Sequence, residues 1–273
     1  MMQIRAVLVM LLLTLVSLVL IPVQWLALKA DWPIKRDLPL LWHRIATRLV
    51  GIRIRQIGAP ATSRPLLIAA NHASWVDIAV LGSLMPLSFI AKSEVASWPV
   101  FGLFAKLQRS VFVDRARRNH TGKVADKIAE RITDGDVMVL FAEGTSNDGN
   151  GVLPFRSALL GAATRALADG HTVCVQPLSI AYTALQGLPM GRQFRPHVAW
   201  YGDMELAGHL WGVFCDGALD VTVTWGHPVS VDPDLDRKAL TGRLEREVRE
   251  MTVAALTGRP WPEPERAREP EGA

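Results

Sequence analysis

The stretch NHASWVD, residues 71–77, sets His72 and Asp77 five positions apart, directly after the apolar run PLLIAA. A carboxylate that accepts a hydrogen bond from one imidazole nitrogen fixes the tautomer. It also raises the basicity of the other nitrogen, which can then take a proton from a hydroxyl or a thiol. In this pair His72 would be a general base and Asp77 its orienter; a purely structural His–Asp hydrogen bond is the alternative. Context separates the two readings. The same spacing recurs at His227 and Asp232, in HPVSVD, but there Pro228 and the Asp232–Pro233 turn mark a loop leaving a strand, and a solvated histidine is expected. His72 instead stands where an apolar strand ends and a helix begins, with Ser74 placed to cap that helix and Asp77 in its first turn. In open α/β sheets that strand edge is where ligands bind.

Two further segments belong beside this pair. SVFVDR (110–115) ends a strand on a cation, Arg115, and FAEGTSNDGNG (141–151) ends another on a carboxylate, Glu143, followed by a glycine-rich loop. Glycine lets backbone approach a ligand closely, and successive amides in such a loop can bind an anion; a plain strand-to-helix connection is the alternative. The loop lacks a glutamate at its twelfth position and properly alternating oxygen ligands, so it is not a calcium loop. The two cysteines, Cys174 and Cys215, lie far apart in apolar runs, which signals neither a disulfide framework nor a zinc ribbon; buried free thiols and no metal site are expected. A general base acting directly on a hydroxyl requires no covalent enzyme intermediate, and consistent with this there is no Gly-x-Ser-x-Gly elbow and neither cysteine neighbours a strand-end histidine motif.

The elements that must position these residues follow from patterning. Short β-rich runs (IRIRQIG, PLLIAA, LSFIA, SVFVD, DVMVLFA, TVCVQPLSIAY, HVAWYG, LDVTVTWG) alternate with helical patterns near 75–85, 98–107, 120–133, 157–168, 204–214 and 235–256. This alternation predicts the α/β class: a single domain, residues 31–257, with a mostly parallel sheet covered by helices. The tail 258–273, rich in proline and charge, is expected to be disordered. Residues 1–30 are expected to be a membrane anchor helix, because Ala6 to Leu28 runs without a charge and a helix of that length reaches about 34 Å. Pro22, Trp25 and Trp32 leave both a spanning and a shallowly inserted helix open. The lysines and arginines that follow the anchor place the domain in the cytoplasm, on the bacterial inner membrane. RDLPLLWHRIATRLV (36–50) has an amphipathic pattern that suits either a membrane surface or packing on the domain. The formal net charge of +4 alone suits nucleic acid, anionic lipid or an acidic carrier protein. Much of the positive charge flanks the anchor and no basic face is interleaved with aromatics, so nucleic acid is not the expected partner.

NHASWVD, VFVDR, FAEGTS and VQPLSIAY, in this order, resemble the four sequence blocks of the glycerolipid acyltransferase family typified by 1-acylglycerol-3-phosphate acyltransferase; the resemblance covers about residues 38–230. It implies His72 as general base with Asp77 as its partner and Asn71 beside them. It further implies that Arg115 contacts the acceptor head group, that Glu143, Gly144 and Thr145 bind the acceptor and shape the site, and that Pro177 stands at the edge of the acyl pocket. The third block of the family usually reads Phe-Pro-Glu-Gly-Thr-Arg; here Ala142 replaces the proline and Ser146 the arginine. The resemblance gives that arginine to the acceptor phosphate, so its absence speaks against a phosphate monoester. The wording of EGTSNDGNGVLPFRSAL, AKSEVASWPVFGLFAKLQRS and AYTALQGLPMGRQFRP resembles most the subgroup that acylates lyso-ornithine lipid. The expected partners are therefore a lysolipid, membrane lipids and an acyl-carrier protein or coenzyme A thioester as co-substrate, with no cofactor. Lysophosphatidic acid remains the alternative acceptor; a thioester hydrolase and an inactive lipid-binding homologue are alternatives of other classes.

Overall fold

A computed structural model of the chain describes residues 2–113, 136–167, 173–231 and 236–261. Nine strands occur among them: β1 (Ile52–Ile57), β2 (Leu66–Ala70), β3 (Ser88–Lys92), β4 (Val111–Val113), β5 (Val137–Phe141), β6 (Val173–Leu185), β7 (Leu188–Pro189), β8 (Leu219–Trp225) and β9 (Val229–Val231). The α-helices are α1 (Met2–Lys29), α2 (Asp37–Val50), α3 (Val76–Gly82), α4 (Phe101–Leu107), α5 (Ser157–Leu167), α6 (Leu206–Asp216) and α7 (Arg237–Thr257).

β2 sits at the centre. Its five residues LLIAA are all buried, which only a strand covered on both faces and paired on both edges can sustain. β5 and β6 run parallel to it, bringing Phe141 and Leu178 beside Ala70. The full order is β1-β8-β6-β2-β5-β3-β4, with β7 and β9 also paired to β6. The sheet is parallel from β6 through β4; β8 joins β6 antiparallel and carries β1 parallel to itself. Strand alternation then makes two cores. Leu66, Ile68 and Ala70 pack with Val50, Val76, Val80 and Phe214 on one face, whereas Leu67 and Ala69 pack with Leu160, Leu244, Val248 and Met251 on the other.

Two expectations change. HVAWYG does not form a strand: Arg195–His197 is a 3-10 turn, the amides of His197, Val198 and Ala199 bond back to the Phe194 and Arg195 carbonyls, and the chain continues irregularly. Ser74 does not cap α3, whose first residue is preceded by Trp75 and which has no side-chain cap bond there. Instead the Asp77 carboxylate reaches back to the amides of Ala73 and Ser74, at 2.8 and 3.0 Å. The amphipathic helix α2 is packed on α1, α3 and β1. Gly82 permits this, since a Cβ there would lie 2.4 Å from the His43 ring. The helix expected at 120–133 and tail residues 262–273 lie outside the described residues.

α1 is long and apolar enough to cross a membrane, and little of it is buried. It is nonetheless tied to the domain near both ends. The Arg5 guanidinium donates to the Phe214 and Val50 carbonyls, and Gln24 Nε2 donates to those of Lys35 (2.9 Å) and Leu107 (2.7 Å). Between these ties Leu13, Ser17 and Ile21 form one wall of a large cavity, while Leu8, Leu11, Leu15 and Val19 are exposed on the outside.

Candidate active site

His72 is the second residue past the end of β2. Its backbone is clamped by the loop after β5: the His72 amide donates to Glu143 Oε1 (3.2 Å), and its carbonyl accepts from the Asn147 amide (2.9 Å). The imidazole stacks on Phe141, the last residue of β5, with ring centroids 4.0 Å apart. His72 Nδ1 meets Asp77 Oδ2 at 2.8 Å. Asp77 is fully buried, and the same oxygen receives the Ala73 and Ser74 amides. A carboxylate surrounded by donors is an acceptor, so Nδ1 carries the proton and Nε2 is left as the basic nitrogen. The His72 side chain lines the cavity, so Nε2 is available to a ligand there.

That cavity has a volume of about 1210 Å³, above the roughly 300–1,000 Å³ of sites for drug-sized ligands. Its walls are mostly aliphatic and aromatic, drawn from α1, α2, β3 and α4. It has room for more than one alkyl chain. Gly144, Thr145 and Ser146 line it on the His72 side. Gly144 has φ 75°, the left-handed region in which a side chain is strained, and this turns the loop back under His72. The Gly144 amide donates to the Phe141 carbonyl (3.1 Å), whereas those of Thr145 and Ser146 make no internal hydrogen bond among the described residues.

Sequence-picked residues are therefore distributed unevenly. His72, Asp77, Gly144, Thr145 and Ser146 converge on one strand edge. Glu143, expected at the acceptor, points inward instead: it is 1% exposed and accepts from Asn147 Nδ2 as well as from His72. Burial pushes its carboxyl up to about 7. Asn71 also faces inward, donating to the Ile180 carbonyl (2.9 Å) and accepting from its amide (2.8 Å), which ties β2 to β6. Pro177, expected at the acyl pocket, is on the opposite face of the sheet. Strand alternation groups it with Val175 and with Ser179, whose hydroxyl meets Thr252 of α7 at 2.7 Å. Arg115 lies outside the described residues.

Three contributors were not singled out from the sequence. Phe141 supplies the surface on which the imidazole rests, and the Trp200 amide donates to the Ala73 carbonyl (2.8 Å), docking an irregular loop beside the His72 turn. Tyr182, also buried, donates its hydroxyl to Asp77 Oδ1. Phe141 and Tyr182 stand inside the blocks FAEGTS and VQPLSIAY, but nothing local to those blocks points either side chain at the pair. The contact at Tyr182 depends on strand order.

His227 is half-exposed and bonded through Nδ1 to Glu247 of α7 at 2.8 Å, away from the cavity; Asp232 lies outside the described residues. Changing His227 to alanine is expected to leave acyl transfer within about twofold of the parent in a steady-state assay, as for a surface residue outside the site.

The family model described as Acyltransferase matches residues 51–181. The chain is 52% identical over 262 residues to the lyso-ornithine lipid O-acyltransferase of Brucella abortus (strain 2308), covering 95% of this chain and 98% of that protein. It is 47% identical to the enzyme of the same name from Rhizobium meliloti (strain 1021), over 94% of this chain and 88% of that one. A 1-acyl-sn-glycerol-3-phosphate acyltransferase from Neisseria gonorrhoeae is 32% identical over 71% of this chain and 72% of its own. Among solved structures, the 1-acyl-sn-glycerophosphate acyltransferase PlsC from Thermotoga maritima superposes with a TM-score of 0.62 at 20% identity, covering 96% of this chain and 99% of that chain; the two share a fold.

Proposed function

The chain belongs to the glycerolipid acyltransferase family, whose members acylate lysolipids, and on that premise we propose that it esterifies the hydroxyl of lyso-ornithine lipid with a fatty acyl group from a thioester. The observation that carries this reading is the oriented His72–Asp77 pair on the wall of a large apolar cavity. His72 Nε2 takes the proton of the acceptor hydroxyl as its oxygen attacks the thioester carbonyl. The amides of Thr145 and Ser146 receive the oxyanion. The tetrahedral intermediate then collapses, the carbon–sulfur bond breaks, and His72 returns the proton to the departing thiolate.

The acceptor assignment rests on charge. Among the described residues, the cavity wall carries the cation of Lys92 and the carboxylates of Glu94 and Asp203, and the block-three arginine is Ser146. A zwitterionic amino-acid head group suits such a wall better than a phosphate dianion does. The relatives named for lyso-ornithine lipid support the same choice. Acyl-carrier protein or coenzyme A supplies the acyl group. With its two tethers to the domain, α1 lies in the surface of the inner membrane, its outer face in the acyl chains and the domain on the cytoplasmic side.

The test is an assay of the purified protein in mixed micelles with each thioester, offered lyso-ornithine lipid, lysophosphatidic acid or no acceptor. Acylated lyso-ornithine lipid is the expected product on thin-layer plates. Preferential acylation of lysophosphatidic acid, or release of free fatty acid without an acceptor, would overturn the assignment. Ser146→Arg is expected to raise the preference for lysophosphatidic acid by about tenfold or more, because a charge-assisted phosphate bond is worth roughly 1.5–3 kcal/mol.

A further inference from the structure

The hydroxyl of Tyr182 donates to Oδ1 of Asp77, the oxygen that His72 does not use. The other oxygen, Oδ2, takes His72 Nδ1 and the amides of Ala73 and Ser74, so the carboxylate has a donor on each side in a fully buried position. The fold places Tyr182 there deliberately. β6 pairs with β2 up to Leu178 opposite Ala70 and then runs on past the end of β2. Asn71 holds both the amide and the carbonyl of Ile180 in that overrun. Tyr182, two residues further, shares the face of Ile180 and therefore lies under the His72 turn.

We propose that Tyr182 is a positioning residue for acyl transfer: held in register by Asn71, it fixes the Asp77 carboxylate so that Oδ2 faces His72, and it draws part of the carboxylate charge away from the imidazole. The inference rests on His72 acting as the general base. Burial, and then the adjacent Asp77 charge, raise the phenol well above its usual range, so it remains a neutral donor throughout the working pH range. Among the described residues, the other charged or titratable groups around the pair are Glu143 beneath the His72 amide, Lys92, Glu94, Asp203 and the buried His43 on the cavity wall, and His209, which accepts from the Trp75 indole at 2.9 Å.

A direction follows. Without the phenol, charge concentrates on Oδ2, the imidazolium is held more tightly, and His72 stays protonated to higher pH. The experiment compares full-length protein and Tyr182→Phe in micelles across pH. The expected result is a kcat about tenfold lower at neutral pH, an acceptor KM within about twofold, and an acid limb of kcat displaced upward by about half a pH unit. The chain has two tyrosines, so global 3-fluorotyrosine in a Tyr201→Phe background labels residue 182 alone. Its stronger donor should displace the acid limb downward relative to unlabelled Tyr201→Phe. An acid limb that stays in place in both variants while only the melting temperature changes would reduce Tyr182 to packing; so would a raised KM with unchanged kcat. If Tyr182→Phe does not fold, the fluorotyrosine protein decides by itself. A parent enzyme with no acid limb would instead remove the general-base reading on which the inference stands.

Discussion

Replacing His72 with alanine is expected to lower kcat/KM for acyl transfer by about 10³-fold or more, with protein level and melting temperature near those of the parent. General-base catalysis contributes roughly 10²–10⁴ in rate, which corresponds to about 3–5 kcal/mol of transition-state stabilisation. The imidazole has no other structural duty of that size: the loop bonds at residue 72 are made by its backbone amide and carbonyl, which alanine keeps. What alanine removes is the ring between Phe141 and the cavity, and with it Nε2. Labelled acyl thioester and acceptor, counted after lipid extraction from isolated membranes, measure the loss directly. Substantial transfer by this variant would dismiss His72 as the base.

Asp77→Asn is expected to cost about 10²–10³-fold in kcat with little change in acceptor KM. The side-chain oxygen of asparagine can keep the Oδ2 position, where three N–H donors converge, and its amide group can turn to the Tyr182 hydroxyl, which is able to accept as well as donate. The geometry is therefore retained while the charge is lost. The imidazolium that forms as the hydroxyl gives up its proton then has no anion beside it, and the transition state is destabilised. Asp77→Ala removes the acceptor altogether and leaves buried amides unpaired, at about 1–3 kcal/mol each. It should lower the melting temperature as well as the rate. Kinetics and thermal unfolding on both variants separate the two roles; full activity in Asp77→Asn would show that the carboxylate charge has no part in the chemistry.

The site was legible in the sequence wherever chemistry and local order coincide. His72 and Asp77 are joined by a single turn at the end of an apolar strand, so their contact needs little beyond the strand-to-helix transition. Gly144 likewise announces a turn wherever it stands. A local rule favours the Ser74 hydroxyl at the helix start, but α3 begins one residue later, after Trp75, and the side-chain bond made at this turn is the Asp77 carboxylate reaching back to the amides of Ala73 and Ser74. HVAWYG carries the right residues for a strand, yet its first three amides turn back to Phe194 and Arg195 and the Trp200 amide goes to the Ala73 carbonyl.

The sequence by itself determined the α/β class, the apolar N-terminal helix, the pairing of His72 with Asp77, and the substitution of Ser146 for an arginine. These are set by periodicity and by neighbours a few residues apart, which act before any distant contact forms. Tertiary structure alone decided which way the remaining side chains face. Glu143 turned inward because the His72 backbone needed an acceptor, Pro177 went to the far side because alternation along β6 assigns it there, and Tyr182 reached Asp77 because β6 lies next to β2 and overruns it. Strand order and register are global properties of the packed sheet, and they determined which buried donors meet the Asp77 carboxylate.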